Sequence, residues 1–130
     1  NYKKIKDMAL IPTLTLTDTT TFSDEISFSV SDELTTAAPS QSLTKVDVAS
    51  GAVQVLFADS GSDGTVFVYI KNTNTSNSYS IDIQSDNANA VYATLNNGEF
   101  AWIPIDANVG VQVYGIGGTV TVEYAYWTRG

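Results

Sequence analysis

The chain has 130 residues, which suits one domain, and it carries no His and no Cys. Those two absences remove Ser-His-Asp and Cys-His catalysis, imidazole and thiolate metal sites, and disulfide staples. A net charge of −8 makes the body acidic and repels phosphate backbones, and no apolar run reaches the length of a membrane span, so neither nucleic acid nor membrane is an expected partner.

Residues 1–10 (NYKKIKDMAL) are the one segment with helical character. They are short and uncapped, and the segment up to residue 11 is read as an N-terminal arm. Pro12 stops any helix, and residues 12–130 are expected to form a single domain. Leu14 and Leu16 begin an alternation and residues 18–21 form a turn. Ile26, Phe28 and Val30 then alternate with serines, the pattern of a half-buried strand. Residues 32–43 (DELTTAAPSQSL) lose the pattern and contain Pro39, so they are expected to be the longest loop.

Val46 and Val48 lead to Ser50-Gly51, and Val53, Val55 and Phe57 follow, which suggests a β-hairpin. DSGSDG at 59–64 is a longer turn. Val66, Val68 and Ile70 alternate with Phe67 and Tyr69, so both faces are apolar and the strand is expected to be central. A polar loop at 72–78 joins it to a strand with Tyr79, Ile81 and Ile83 inward, again as a hairpin. VYATL is followed by the turn dipeptide Asn97-Gly98 and by EFAWIPI, where Pro104 marks an edge position or a strand end. Val109, Val111 and Val113 alternate next. GIGG at 115–118 turns the chain into a last strand with Val120, Val122, Tyr124 and Tyr126 on one face. About nine or ten short strands without a long helix predict an all-β, antiparallel β-sandwich, jelly-roll-like, with a short N-terminal arm.

Carboxylates are the remaining candidates for chemistry. Asp24/Glu25 and Asp32/Glu33 sit by turns, where acids are ordinarily solvated. A glycosidase needs two carboxylates about 5–9 Å apart across a cleft, and nothing in the spacing demands that. The run beginning at Asp59 lacks the alternating ligands and distal Glu of an EF-hand. No catalytic residue, metal or cofactor is therefore expected. Phe67, Tyr69, Tyr92, Trp102, Tyr114 and Trp127 are the candidate subunit-interface or ligand-stacking side chains; Tyr124 and Tyr126 belong to the same aromatic set. The doubly apolar strands favour packing, because one small sandwich has difficulty covering both faces of its sheets and association would cover them.

The segments VFVYIKNTN (66–74), YATLNNGEFAWIPI (92–105) and VEYAYWTRG (122–130) resemble small head-decoration (cement) proteins of tailed bacteriophages, including those of cyanobacterial and marine phages. The resemblance covers roughly the C-terminal half and lies in cadence and composition. It implies a non-enzymatic virion protein, made in the host cytoplasm, that binds the capsid exterior as a trimer and stabilises the shell. Its partner would be the major capsid protein. On that reading Lys3, Lys4 and Lys6 would meet acidic patches, and Ile5, Met8, Leu10 and Ile11 would anchor the arm. The alternatives are a carbohydrate-binding module of a phage fibre or adhesin, a small glycosidase, and a pilus or surface-layer subunit.

Overall fold

The computed structural model describes residues 9–19, 26–75 and 78–130. Among them are eleven strands and no helix: β1 (Ala9–Leu10), β2 (Thr13–Asp18), β3 (Ile26–Ser31), β4 (Leu34–Val48), β5 (Val53–Phe57), β6 (Thr65–Asn72), β7 (Ser80–Gln84), β8 (Val91–Leu95), β9 (Phe100–Asp106), β10 (Val111–Ile116) and β11 (Val120–Arg129). The chain divides into two compact units, residues 1–36 with Gly130 and residues 37–129, whereas the sequence suggested a division after residue 11.

In the first unit β1 runs antiparallel to the start of β4, with Ala9 opposite Thr35 and Leu10 opposite Leu34. The Gly130 N–H closes onto the Thr35 carbonyl at 2.8 Å. Among the described residues, strands β2 and β3 pair with each other, as a two-stranded antiparallel ribbon. The helical character read into residues 1–10 does not extend to Ala9 and Leu10, which are strand because their main chain pairs with β4.

The second unit is a sandwich of two sheets. One has the order β4-β11-β6-β9 and the other β5-β10-β7-β8. The pairs nest, β4 with β11, β5 with β10, β6 with β9 and β7 with β8, as in one long hairpin rolled across two sheets. The strand cadence does not separate a jelly roll from an immunoglobulin-like Greek key, and the nested order is that of the preferred jelly roll. The antiparallel ladders β5–β10, β7–β10, β7–β8, β6–β11 and β6–β9 carry it.

Nesting corrects two expectations. The Ser50-Gly51 turn does not close a hairpin between β4 and β5, and the 72–78 loop does not close one between β6 and β7. In each case the chain crosses from one sheet to the other. A turn residue reports that the chain reverses, but not which sheet receives the next strand. Residues 34–43 are also not a loop. They belong to β4, which runs through Pro39. Pro39 has no N–H to give to a neighbouring strand. Its carbonyl instead accepts from Thr128 Oγ1 at 2.6 Å.

Alternation fills the space between the sheets. Val66, Val68, Ile70, Val120 and Val122 face Ile81, Ile83, Val111 and Val113, all at 0 or 1% exposure. Tyr124 and Tyr126 pack against this core, and Phe57 meets Tyr126 edge-on at 5.1 Å. Gly115 belongs to β10 and is not part of a turn. A Cβ there would lie 2.4 Å from the Ala49 carbonyl oxygen, so only glycine admits the β4–β5 connection so close.

One buried polar side chain links the sheets. Asn72, at the end of β6, is 0% exposed. Its Nδ2 donates to the carbonyls of Tyr79 and Leu95 at 3.2 and 3.1 Å, and its Oδ1 accepts from the Asn74 N–H at 3.0 Å. Tyr79 precedes β7 and Leu95 ends β8, both in the opposite sheet. Asn72→Leu keeps the volume but removes the bonds to both carbonyls, and is expected to cost about 2–4 kcal/mol. A urea melt should show this as a lower midpoint at unchanged slope.

Candidate functional site

The candidate aromatics separate into two groups. Phe67 and Tyr69 on β6, Trp102 on β9 and Trp127 on β11 all point away from the core on one sheet. The register requires it: Phe67 lies opposite Pro104 and Trp127, and Tyr69 opposite Trp102 and Ala125. The rings pack on each other. Phe67 stacks on Trp102 at 6.0 Å and 4°, and Trp102 meets Trp127 at 5.9 Å and 43°. The Arg129 guanidinium sits 5.4 Å from the Phe67 ring centre. Phe67 is left 2% exposed and Ala125 fully covered. The expectation that association must cover these doubly apolar strands does not hold for either residue, because neighbouring strands supply the lid. Trp102 and Trp127 remain half-buried.

Beside it the Tyr69 hydroxyl donates to Glu123 Oε1 at 3.1 Å. Burial, and then the hydrogen bond and charge of Glu123, push the Tyr69 phenol above its ordinary range. Unfolded tyrosine loses its proton near pH ~10, whereas folded Tyr69 keeps it longer. Its contribution to stability is therefore complete below about pH 10 and is lost as pH rises through the folded value.

Tyr114 and Tyr92 belong to the other sheet. Tyr114 is half-buried on β10, between Val53 and Asp82. Tyr92 on β8 is 55% exposed. It lines a shallow groove of about 250 Å³ with Ile103, Pro104, Ile105, Asp106 and Val109. The groove follows β9, which is an edge strand as Pro104 indicated. Pro104 has no N–H to offer there.

Of the arm residues, Leu10 is half-buried opposite Leu34 and Ile11 is 61% exposed. Lys3, Lys4, Ile5, Lys6 and Met8 lie outside the described residues, as do Asp24 and Glu25. Several described carboxylates accept main-chain N–H groups. Asp32 accepts from the Glu33 N–H, Asp86 from the Asp59 N–H, Asp106 from the Asn108 N–H and Glu99 from the Asn96 N–H. Among the described residues no three acidic groups converge as a metal site.

The β2–β3 ribbon was missed as a surface. Leu14 lies opposite Val30, Leu16 opposite Phe28 and Asp18 opposite Ile26, so the five apolar side chains share one face. The other face is Thr and Ser, with Thr15 Oγ1 donating to Ser29 Oγ at 3.2 Å. The Ile26–Val30 alternation suggested a half-buried strand. Instead the five side chains are 43–52% exposed. The signal was the alternation itself, which occurs in both β2 and β3.

No family model matches the chain, and no curated protein matches it. A solved structure described under "Bacillus endospore appendages form a novel family of disulfide-linked pili" is similar at 15% identity and TM-score 0.45, over 69% of this chain and 88% of that one.

Two substitutions probe the aromatic cluster. Phe67→Ala removes the ring that Trp102 and Arg129 cover and is expected to cost about 3–5 kcal/mol in a denaturant melt, with a red-shifted tryptophan emission. In Tyr69→Phe the phenol that burial and Glu123 hold above its ordinary range is gone, so a tyrosinate absorbance titration should lose amplitude at its alkaline end.

Proposed function

We propose that this chain is a non-enzymatic structural protein that binds an assembled protein shell and stabilises it, in the manner of a capsid head-decoration protein on the virion exterior. The observation that carries this reading is the distribution of exposed apolar side chains. Large ones stand out of the arm (Ile11), the ribbon (Leu14, Leu16, Ile26, Phe28, Val30) and the sandwich edges (Val91, Tyr92, Phe100) at 43–61% exposure. Such surfaces are made to be covered by protein. A protein that binds the assembled shell better than its separated subunits raises shell stability by mass action. The arm would lie along the capsid, with Ile11 as the anchor that the structure describes. The carbohydrate-binding alternative has less support, since Phe67, Trp102 and Trp127 spend much of their ring surface on each other.

The test uses particles produced from the genome that encodes the chain. Immunogold against the chain should label the outer surface of intact particles. Purified chain should co-sediment with empty shells and not with dissociated capsid subunits. Removal of residues 1–11 should abolish co-sedimentation while leaving the circular dichroism of the sandwich unchanged. Absence of the chain from particles overturns the reading, and retention of the isolated chain on a glycan array would favour the carbohydrate alternative.

A further inference from the structure

The turn between β8 and β9 carries Asn97-Gly98, the one Asn-Gly dipeptide in the chain. Both residues are exposed, and Gly98 has φ +74° with open space where a side chain would stand. We propose that Asn97 is a modification site at which the chain deamidates to aspartate and isoaspartate, and that the hydrogen bond from the Gly98 N–H to the Asn72 carbonyl is the gate on that reaction.

The reaction needs only groups of this turn and water. The Gly98 nitrogen gives up its proton and attacks Asn97 Cγ. A new N–C bond forms, the bond from Cγ to the side-chain nitrogen breaks, and ammonia leaves with the proton. The intermediate is a five-membered succinimide, which water then opens. Cleavage at Cγ leaves aspartate. Cleavage at the main-chain carbonyl leaves isoaspartate, whose main chain runs through Cβ. Glycine in the second position favours the attack, because it has no side chain to obstruct the approach of its nitrogen and its backbone is the most permissive.

In the folded chain that nitrogen is engaged. The Gly98 N–H donates to the Asn72 carbonyl at 2.9 Å, and the Asn72 N–H donates to the Glu99 carbonyl at 3.0 Å. Asn72 Nδ2 holds the Leu95 carbonyl, just before the turn, at 3.1 Å. Within the turn the Glu99 N–H donates to the Asn96 carbonyl at 3.0 Å, and Glu99 Oε1 accepts from the Asn96 N–H at 2.6 Å. Asn72 is 0% exposed, so attack by the Gly98 nitrogen would leave a buried carbonyl without its donor. The chemistry therefore waits for the turn to open. Base-catalysed hydrogen exchange of the Gly98 amide removes the same proton and waits for the same opening. Where opening and closing are fast, both rates track the open population and are slowed by one common factor. The isoaspartate product puts one more main-chain carbon into a turn that Asn72 clamps at both ends, so fold and modification oppose each other.

Folded wild-type chain is aged in mildly alkaline buffer beside chain unfolded in guanidinium chloride, and peptide mapping by mass spectrometry follows conversion of amide to acid at Asn97. Exchange of the Gly98 amide hydrogen is read by NMR in the same buffer. The folded chain should deamidate at least about tenfold more slowly than the unfolded one, with Gly98 exchange slowed by the same factor. Asn97→Gln should abolish the conversion at this position. Glu99→Ala removes the acceptor of the Asn96 N–H and should speed deamidation and exchange together. Sub-denaturing guanidinium chloride, which loosens the turn without any substitution, should do the same and decides the matter even where the variant fails to fold. An unfolded chain that keeps its Asn97 amide overturns the site. A folded chain that deamidates as fast as the unfolded one, or deamidation and exchange that respond by different factors, overturns the gate.

Discussion

The carboxamide of Asn72 is the contact on which the jelly roll's two sheets depend for their alignment. It leaves the central strand β6 and is held by carbonyls at Tyr79 and Leu95, one before β7 and one at the end of β8. Its own main chain accepts from the Gly98 N–H and donates to the Glu99 carbonyl, which fixes the turn between β8 and β9. The Val and Ile core is cohesive but not directional, and sheets could slide on it. A buried amide with three matched bonds cannot slide without orphaning carbonyls, so it sets the register of one sheet over the other. Toward the other end of β7 a second amide group ties neighbouring strands of one sheet: Gln112 Nε2 donates to Gln84 Oε1 and Asn89 Oδ1 at 2.8 and 2.7 Å.

With the interior aligned in this way, the outer faces differ in what remains for partners. On the sheet of β6, β9 and β11, Trp102 stacks on Phe67, Trp127 meets Trp102, and Arg129 lies over the Phe67 ring. Among the described residues, the exposed large apolar side chains include those of the ribbon and of the edge strands β5, β8 and β9.

Several features were legible residue by residue. Phe67 and Tyr69 between Val66, Val68 and Ile70 marked β6 as central, and it is flanked by β11 and β9. Pro104 marked an edge, and β9 is one. The shared face of Val120, Val122, Tyr124 and Tyr126 packs on the core. Other features were not legible. Residues 34–43 are polar and contain Pro39, yet pairing with β11 makes them strand. Gly115 resembled a turn residue, but its role is the close approach of Ala49. Of the candidate site, the sequence named the aromatic set but not that Phe67, Trp102 and Trp127 would meet, and it passed over the β2–β3 ribbon.

These successes and failures share one cause. Alternation at period two is a local property of the backbone, so the sequence by itself determined that the chain is strand-rich, where most strands lie and which side chains share a face. It also excluded histidine and cysteine chemistry, since those groups are absent. Only the tertiary structure decided that β4 pairs with β11 and β5 with β10, that Asn72 bridges the sheets, and that Phe67 is covered while Phe28 is not. The last two residues sit in the same kind of alternating strand. What separates them is whether distant strands arrive to cover that face, and such non-local pairing leaves no mark on the local pattern.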